Sequence, residues 1–129
     1  MGQVDLMGSS QIAIVSVPVS DQQRAKQFYT ERLGFSVTAE QKDQMGPGRN
    51  WIMLRPSGGG AMVTLVNWFE TMPAGSLRGL VLVTDDVEKE HKRLRAAGVD
   101  VDDMKTAPWG RYATLRDSEG NGLIIQQNA

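Results

Sequence analysis

The sequence predicts an α+β fold made of two βαβββ modules in tandem. Two observations carry this prediction. The same order of strand, helix and turn signals occurs in both halves of the chain, and each half ends in two strand patterns separated by a turn. We assign residues 11–68 to module one, 69–76 to a linker and 77–127 to module two. A chain of 129 residues is long enough to build a single domain around one hydrophobic core.

Module one begins with a strand and a helix. Residues 12–19 form an apolar, β-branched run that is typical of a strand. Asp21 follows, and its carboxylate is suited to accept hydrogen bonds from the first amides of a helix. Gly34 is suited to the left-handed conformation that ends a helix. Between them, apolar side chains recur at helical spacing: Ala25, Phe28, Tyr29 and Leu33.

The rest of module one is predicted to contain three strands, separated by a loop and a turn. Residues 35–37 open a second strand, and residues 51–54 and 61–66 form two more. The glycine-rich residues 56–60 between the last two predict a hairpin turn. Residues 38–50 are rich in Gln, Gly and Pro, so we expect them to form the longest loop and to be mobile.

Module two repeats this order. A β-branched run over residues 79–83 predicts a strand, and residues 84–85 lead into a helix. Strand patterns over residues 111–116 and 122–126 flank a turn at residues 117–121. The apolar stripe of the helix and the residues that end it are Val87, His91, Leu94, Gly98, Val99 and Val101.

The two halves align at a fixed offset of 64 positions. Val17, Val19, Phe35 and Val37 fall on Val81, Val83, Val99 and Val101. An offset of about half the chain indicates duplication of one supersecondary unit.

Composition excludes several classes of protein. Lys and Arg total 14 against 15 Asp and Glu, without a block of like charge, so we predict no nucleic-acid partner. No apolar run reaches the about 18 residues of a membrane span, and residues 1–10 lack the pattern of a signal peptide. The sequence has no cysteine, which excludes disulfides, thiolate metal sites and a cysteine nucleophile and fits a cytoplasmic protein.

The order of short motifs resembles the vicinal oxygen chelate superfamily of glyoxalases, bleomycin-resistance proteins and extradiol dioxygenases, over about residues 12–126. Ser118 and Glu119 depart from the family's usual Asp-Pro-Asp-Gly-Asn turn. The motifs are Val-Pro-Val-Ser-Asp at residues 17–21, Phe28-Tyr29, Leu33-Gly34-Phe35, Asp85-Asp86, Gly98-Val99, Trp109-Gly110 and Asp-Ser-Glu-Gly-Asn at residues 117–121.

The resemblance implies a half-open cup of sheet, usually completed by a homodimer, and a divalent metal inside it. The family's four ligand positions fall here on Ile14, Thr64, Gly79 and Ile124. Catalytic metals need about three protein ligands, drawn from His and carboxylates. We therefore predict no metal, no other cofactor and no catalytic residue.

The sequence offers little support for other catalytic or phosphate-binding sites. The single histidine, His91, lies on the apolar stripe of a helix, and we interpret it as a packing residue rather than a ligand or base. A serine triad would need such a base nearby. Asp102 and Asp103 are adjacent, so in a strand they would point to opposite faces. Residues 58–60 lead into a strand rather than a helix, which argues against a phosphate loop.

A cup without ligands suggests a binding site. Strand alternation places Ser16 beside Ile14, Met62 and Val66 beside Thr64, and Gly122 and Gln126 beside Ile124. Tryptophan at a wet rim can stack on planar ligands, although packing is the alternative role. Arg55 and Arg111 offer charges for an anion, but we interpret both as exposed strand ends. The rim candidates are Trp51, Trp68, Trp109 and Tyr112.

Three functional hypotheses follow. The first, implied by resemblance to the metal-free resistance proteins, is sequestration of a planar aromatic or glycopeptide-like small molecule. The second is an enzyme, such as a lyase, isomerase or dioxygenase-like member, with a non-standard metal site or none. The third is an interaction domain without a small-molecule ligand. The missing ligands argue against a metal enzyme, and fold alone does not separate the three hypotheses.

Overall fold

The computed structural model describes residues 8–129. The prediction that residues 1–10 form no signal peptide therefore falls largely outside the described residues. In chain order the elements are β1 (Ile14–Pro18), α1 (Gln22–Glu31), β2 (Ser36–Gln41), β3 (Trp51–Arg55), β4 (Met62–Val66), β5 (Arg78–Val83), α2 (Val87–Ala96), β6 (Asp100–Val101), β7 (Lys105–Ala107), β8 (Gly110–Arg116) and β9 (Gly122–Asn128).

The strands form two sheets, one from each module. The first has the order β1-β4-β3-β2, and the second has the order β5-β9-β8-β6, with β7 also paired to β8. In each module the first and last strands are parallel neighbours, and the other pairs are antiparallel. The predicted two-module α+β fold is confirmed. Module two differs in one detail, because its outer strand is divided into β6 and β7.

One face of each sheet packs against the helix of its own module. Tyr29 on α1 and Leu94 on α2 are completely buried, as are Val17, Leu65 and Leu115 on the strands. These residues belong to a single hydrophobic cluster that includes both modules. Burying apolar surface stabilises a fold by about 25 cal/mol per Å², so this shared core holds the two modules together.

Each helix begins at an aspartate and is followed by a glycine in the left-handed region. The carboxylate of Asp21 accepts a hydrogen bond of 3.0 Å from the amide of Arg24. In module two the capping residue is Asp86, not Asp85, and it accepts from the amide of Lys89 at 3.1 Å. The glycines that follow are Gly34 at φ 78° and Gly98 at φ 80°.

The offset of 64 is wrong for the first strand of each module. Val17 is buried, whereas Val81, on which the offset places it, is 43% exposed on the opposite face of its sheet. The pairing register shifts between Arg78 and Leu80, and this bulge at Gly79 adds one residue to β5. A shift of one residue turns a side chain to the other face. The same correction applies to Val19 and Val83, the latter 64% exposed.

The predicted loop over residues 38–50 is also shorter than expected. Strand β2 continues to Gln41 and pairs with β3, with one register shift between Val37 and Ala39. An edge strand of this kind is held by backbone hydrogen bonds and needs few apolar side chains, so its sequence carried little strand signal. Beyond it the chain turns tightly, with hydrogen bonds from the Met45 amide to Arg49 and from Asn67 to Gly48. Within residues 8–129, neither helix has the length and apolar character needed to cross a membrane.

Candidate ligand-binding site

We call the face of each sheet that points away from its helix its open face. In both sheets, residues paired directly across strands share a face and pack side by side. On the first sheet one row crosses Ser16, Thr64, Met53 and Ala39, and the neighbouring pair is Ile14 and Met62. The predicted grouping of Ile14, Ser16, Met62 and Thr64 on one face is therefore what the strand pairing produces.

The open face of the second sheet has two comparable rows. Val81, Ile124 and Thr114 form one row. The second row consists of Val83, Gln126, Tyr112 and Lys105. Val81, Val83 and Ile124 are apolar, Tyr112 is aromatic, and Thr114, Gln126 and Lys105 supply polar groups. Gly122 lies opposite Arg116 and Arg78 at the end of this face.

The four positions on which the resemblance places the superfamily's metal ligands offer no free donor group in this chain. Ile14 and Ile124 have no donor atom, and Gly79 has no side chain. The hydroxyl of Thr64 is 2.9 Å from the carbonyl oxygen of Ile52 and donates to it, and Thr64 is only 2% exposed. Among residues 8–129, no group of three His, Cys, Asp or Glu side chains is placed to hold a metal ion.

Two aromatic groups lie beside these faces. In module one the ring centroids of Trp51 and Trp68 are 6.4 Å apart, and Phe69 extends the group at 5.8 Å from Trp68. In module two Trp109 stacks on Tyr112 with centroids 5.2 Å apart and planes at 28°. Trp109 is 48% exposed, so part of its ring is accessible to solvent.

Trp51 and Tyr112 occupy equivalent positions in the two modules. Trp51 lies two residues before Met53, which pairs with Thr64. Tyr112 lies two residues before Thr114, which pairs with Ile124. On each open face, therefore, one aromatic ring lies two residues before the residue that pairs with a predicted ligand position.

Sequence reasoning missed several residues of the open faces. Met53 and Thr114 lie in the central rows, and Val81 and Val83 are exposed beside them. The alternation of side chains along a strand, counted from Trp51 and Tyr112, would have placed Met53 and Thr114 on the open faces. The valines were missed because the offset of 64 places them on the core face, and the glycine at Gly79 was the only local sign of the bulge.

The remaining polar candidates have structural partners. His91 is 8% exposed, and its Nε2 is 2.7 Å from the carbonyl oxygen of Asp102, which agrees with a packing role. Arg111 lies on the helix side of β8 and pairs with Glu88 at 2.8 Å. The Arg95 guanidinium, 2.6 Å from Asp103, lowers the pKa of that carboxyl.

A cavity of about 650 Å³ lies between the modules, away from most of the predicted site. Its walls come from Val15, Leu33, Phe35, Leu80 and Leu82 and from the turn at residues 58–60. Of the predicted site residues, only Met62 lines it. This cavity is therefore distinct from most of the open-face residues of the predicted site.

Comparison with known proteins decides the family. The Glyoxalase/Bleomycin resistance protein/Dioxygenase superfamily matches residues 11–125. The chain belongs to this superfamily. Its two βαβββ modules are consistent with the glyoxalase/bleomycin resistance fold.

Three relatives illustrate the similarity. TnmS3, an antibiotic-binding protein from Streptomyces sp. CB03234, is 46% identical, with a TM-score of 0.88 over 95% of this chain and 99% of that one. A glyoxalase/bleomycin resistance protein from the same strain is 48% identical, with a TM-score of 0.80 over 89% and 98% of the two chains. The uncharacterized protein YetH of Bacillus subtilis (strain 168) is 31% identical over 91% of this chain and 98% of its own length.

Proposed function

We propose that this protein binds a small, planar, mostly apolar molecule on its open faces and releases it unchanged. The observation that carries the proposal is the chemistry of the four family ligand positions, where Ile14, Thr64, Gly79 and Ile124 offer no free donor to a metal. Apolar sites with a few polar groups are the usual design for small-molecule binding. Ser16 and Gln126 supply such groups beside the two isoleucines.

The aromatic groups define the shape of the ligand. Trp109 and Tyr112 already stack, and a planar ligand on the accessible part of the Trp109 ring would extend this stack. Trp51 occupies the place in module one that Tyr112 has in module two. Flat rings prefer such offset stacking, which adds about 0.5–1.5 kcal/mol per pair beyond the burial of area. The antibiotic-binding role of TnmS3, at 46% identity, supports a natural product as the ligand.

A two-fold homodimer is part of the proposal. The outer edges of β1 and β5 pair with no strand of the described chain. Ile14, Val81 and Val83 near these edges are 41%, 43% and 64% exposed. Exposed apolar groups of this kind mark interaction surfaces, and small oligomers are usually symmetric dimers. A second copy placed against these edges would cover them and enclose the ligand.

Titration with planar dyes tests the proposal. Anthraquinones and quinoxalines, with bleomycin as a glycopeptide comparison, should be added to the protein while tryptophan fluorescence is recorded. Saturable quenching at micromolar ligand, equivalent to about 8 kcal/mol of binding, is the expected result. If none of the compounds quenches saturably, the binding proposal is wrong. Turnover of a catechol or a methylglyoxal–thiol adduct would favour the enzyme hypothesis instead.

A blocking variant locates the site. Ile124→Trp adds a large side chain in the centre of the second open face and should abolish binding, measured by calorimetry because the variant adds a fluorophore. Lys92→Trp, on the exposed side of α2, is the matched control and should bind as the wild type does. Gly79 is unsuitable for this purpose, because its φ of 81° would strain any other residue.

A further inference from the structure

The strands of the open faces carry unneutralised positive charge, although the chain as a whole has a net charge of −1. Arg55 lies opposite Ser36 on the first sheet, and Lys105 lies opposite Tyr112 on the second. Asp100 is the only acidic strand residue on either open face within residues 8–129. It lies opposite Arg116, and its carboxylate is held by that guanidinium at 2.8 Å.

Both carboxylates near Arg116 are already ion-paired with its guanidinium. Arg116 binds Asp100 and also Asp102, the latter at 2.5 Å. The hydrogen bond to Arg116 lowers the pKa of Asp100, so its carboxylate stays ionised and paired. With one guanidinium and two carboxylates the cluster has a net charge of −1, and Arg116 lies four residues along β8 from Tyr112, the partner of Lys105.

Arg55 and Lys105 have no such partner. Both side chains are exposed, and neither makes an ion pair or a side-chain hydrogen bond with any residue in the described part of the chain. Arg55 lies two residues beyond Met53 on the same face. A guanidinium and an ammonium without counter-ions raise the electrostatic potential of the surface around them.

Lys105 is the better placed of the two beside an aromatic group. It pairs directly with Tyr112, whose ring stacks on Trp109. Side chains directly opposite each other in an antiparallel pair have Cβ atoms about 4.5–5.5 Å apart. The ammonium can therefore reach an acidic substituent on a ring stacked against Trp109.

We propose that the ligand is a planar aromatic anion, and that Lys105 and Arg55 select for its negative charge. A ring system bearing a carboxylate, a sulfonate or an ionised hydroxyl group has this chemistry. The inference rests on the proposed binding function and adds the sign of the ligand's charge. It also separates the two ligand classes, because a cationic glycopeptide would be disfavoured by the same two side chains.

Two probes with one ring system test the inference. Anthraquinone-2-sulfonate and an anthraquinone carrying a trimethylammonium group should be titrated in parallel, with unsubstituted anthraquinone as the neutral reference. We expect the sulfonate to bind about 10-fold more tightly than the cation, which corresponds to about 1.4 kcal/mol. The preference should diminish at high salt, because exposed charges are screened.

Variants that remove one positive charge test which residue produces the preference for the anionic probe. Lys105→Gln and Arg55→Gln should each weaken sulfonate binding about 3- to 5-fold, as expected for one exposed charge pair, and leave neutral anthraquinone unaffected. Arg111→Gln is the matched control, because Arg111 lies on the other side of β8 and pairs with Glu88. It should leave the preference intact.

The outcomes are distinct. Equal or tighter binding of the cation, or an equal effect of Arg111→Gln, would overturn the charge preference while leaving the binding proposal intact. Failure of the wild-type protein to bind any compound of the panel, these three anthraquinones included, would overturn both proposals.

Discussion

The hydroxyl of Tyr29 donates a hydrogen bond of 2.7 Å to Oδ2 of Asp117, and this bond joins α1 of module one to the turn between β8 and β9 of module two. Asn121 extends the connection, because its side-chain amide donates both to Asp117 and to the carbonyl of Pro18, each at 2.9 Å. All of these groups are buried. The network fixes how the two modules, and hence their open faces, are placed.

Removal of the Tyr29 hydroxyl should therefore destabilise the whole domain. Tyr29→Phe leaves Asp117 with one hydrogen bond fewer in a buried site, which should lower the free energy of unfolding by about 1–3 kcal/mol. Urea denaturation measures this change. The only other tyrosine, Tyr112, is partly exposed, and Tyr112→Phe should change stability by less than about 0.5 kcal/mol. Equal effects of the two substitutions would contradict the role given to the network.

The same pair predicts a loss of stability at alkaline pH. Burial, and then the charge of Asp117, raise the pKa of Tyr29 far above its ordinary value. Above about pH 10 the unfolded chain releases the phenol proton while the folded chain retains it. Unfolding then becomes easier, by up to about 1.4 kcal/mol per pH unit from this group. Denaturation at pH 9–11 should show this slope in the wild type, and Tyr29→Phe should lack it.

Purified protein should contain no stoichiometric divalent metal. Ile14, Gly79 and Ile124 provide no donor, and the Thr64 hydroxyl is bonded to Ile52. Elemental analysis after dialysis should find well below one Ni, Zn, Fe or Mn per chain, and chelator should leave the melting temperature unchanged, since a metal bound only to the native state would raise it. One tightly held metal per chain would show that the family ligand positions have been assigned wrongly.

The oligomeric state should depend on β5. Light scattering at micromolar concentration should give twice the chain mass of 14.2 kDa. Val83→Glu places a charge on the exposed edge strand and should shift the protein towards monomer. Val37→Glu, at the outer strand β2 and 42% exposed, is the control and should remain dimeric. A wild-type monomer, or equal dissociation of both variants, would count against assembly through β1 and β5.

Local patterns in the sequence predicted most of the fold. The helix-capping aspartate Asp21, the glycine at Gly34 and the alternation of Ile14 with Ser16 are visible in adjacent residues, and the structure has them in place. The bulge at Gly79 is different. It comes from strand pairing, and a glycine in the strand pattern is too weak a signal to predict that Val81 faces away from the core.

The candidate site was only partly predictable for the same reason. The sequence alone identifies the residue types at the four predicted ligand positions. It does not show the hydrogen bond from Thr64 to Ile52, because that bond joins two neighbouring strands. Likewise, Trp109 and Tyr112 were predicted at the rim, whereas their stacking is a contact of the folded chain. Arg55 was interpreted as a strand-end charge, and only the pairing of the strands places it on an open face.

Native mass spectrometry of chelator-treated protein mixed with an anthraquinone tests the central claim most directly. We expect a complex whose added mass equals that of the intact ligand and stays constant for hours, because the contacts that the described open faces offer a ligand are aromatic and apolar ones. Ile124→Trp should show no such complex. A bound or released species of altered ligand mass, or no bound ligand at micromolar concentration, would contradict the claim.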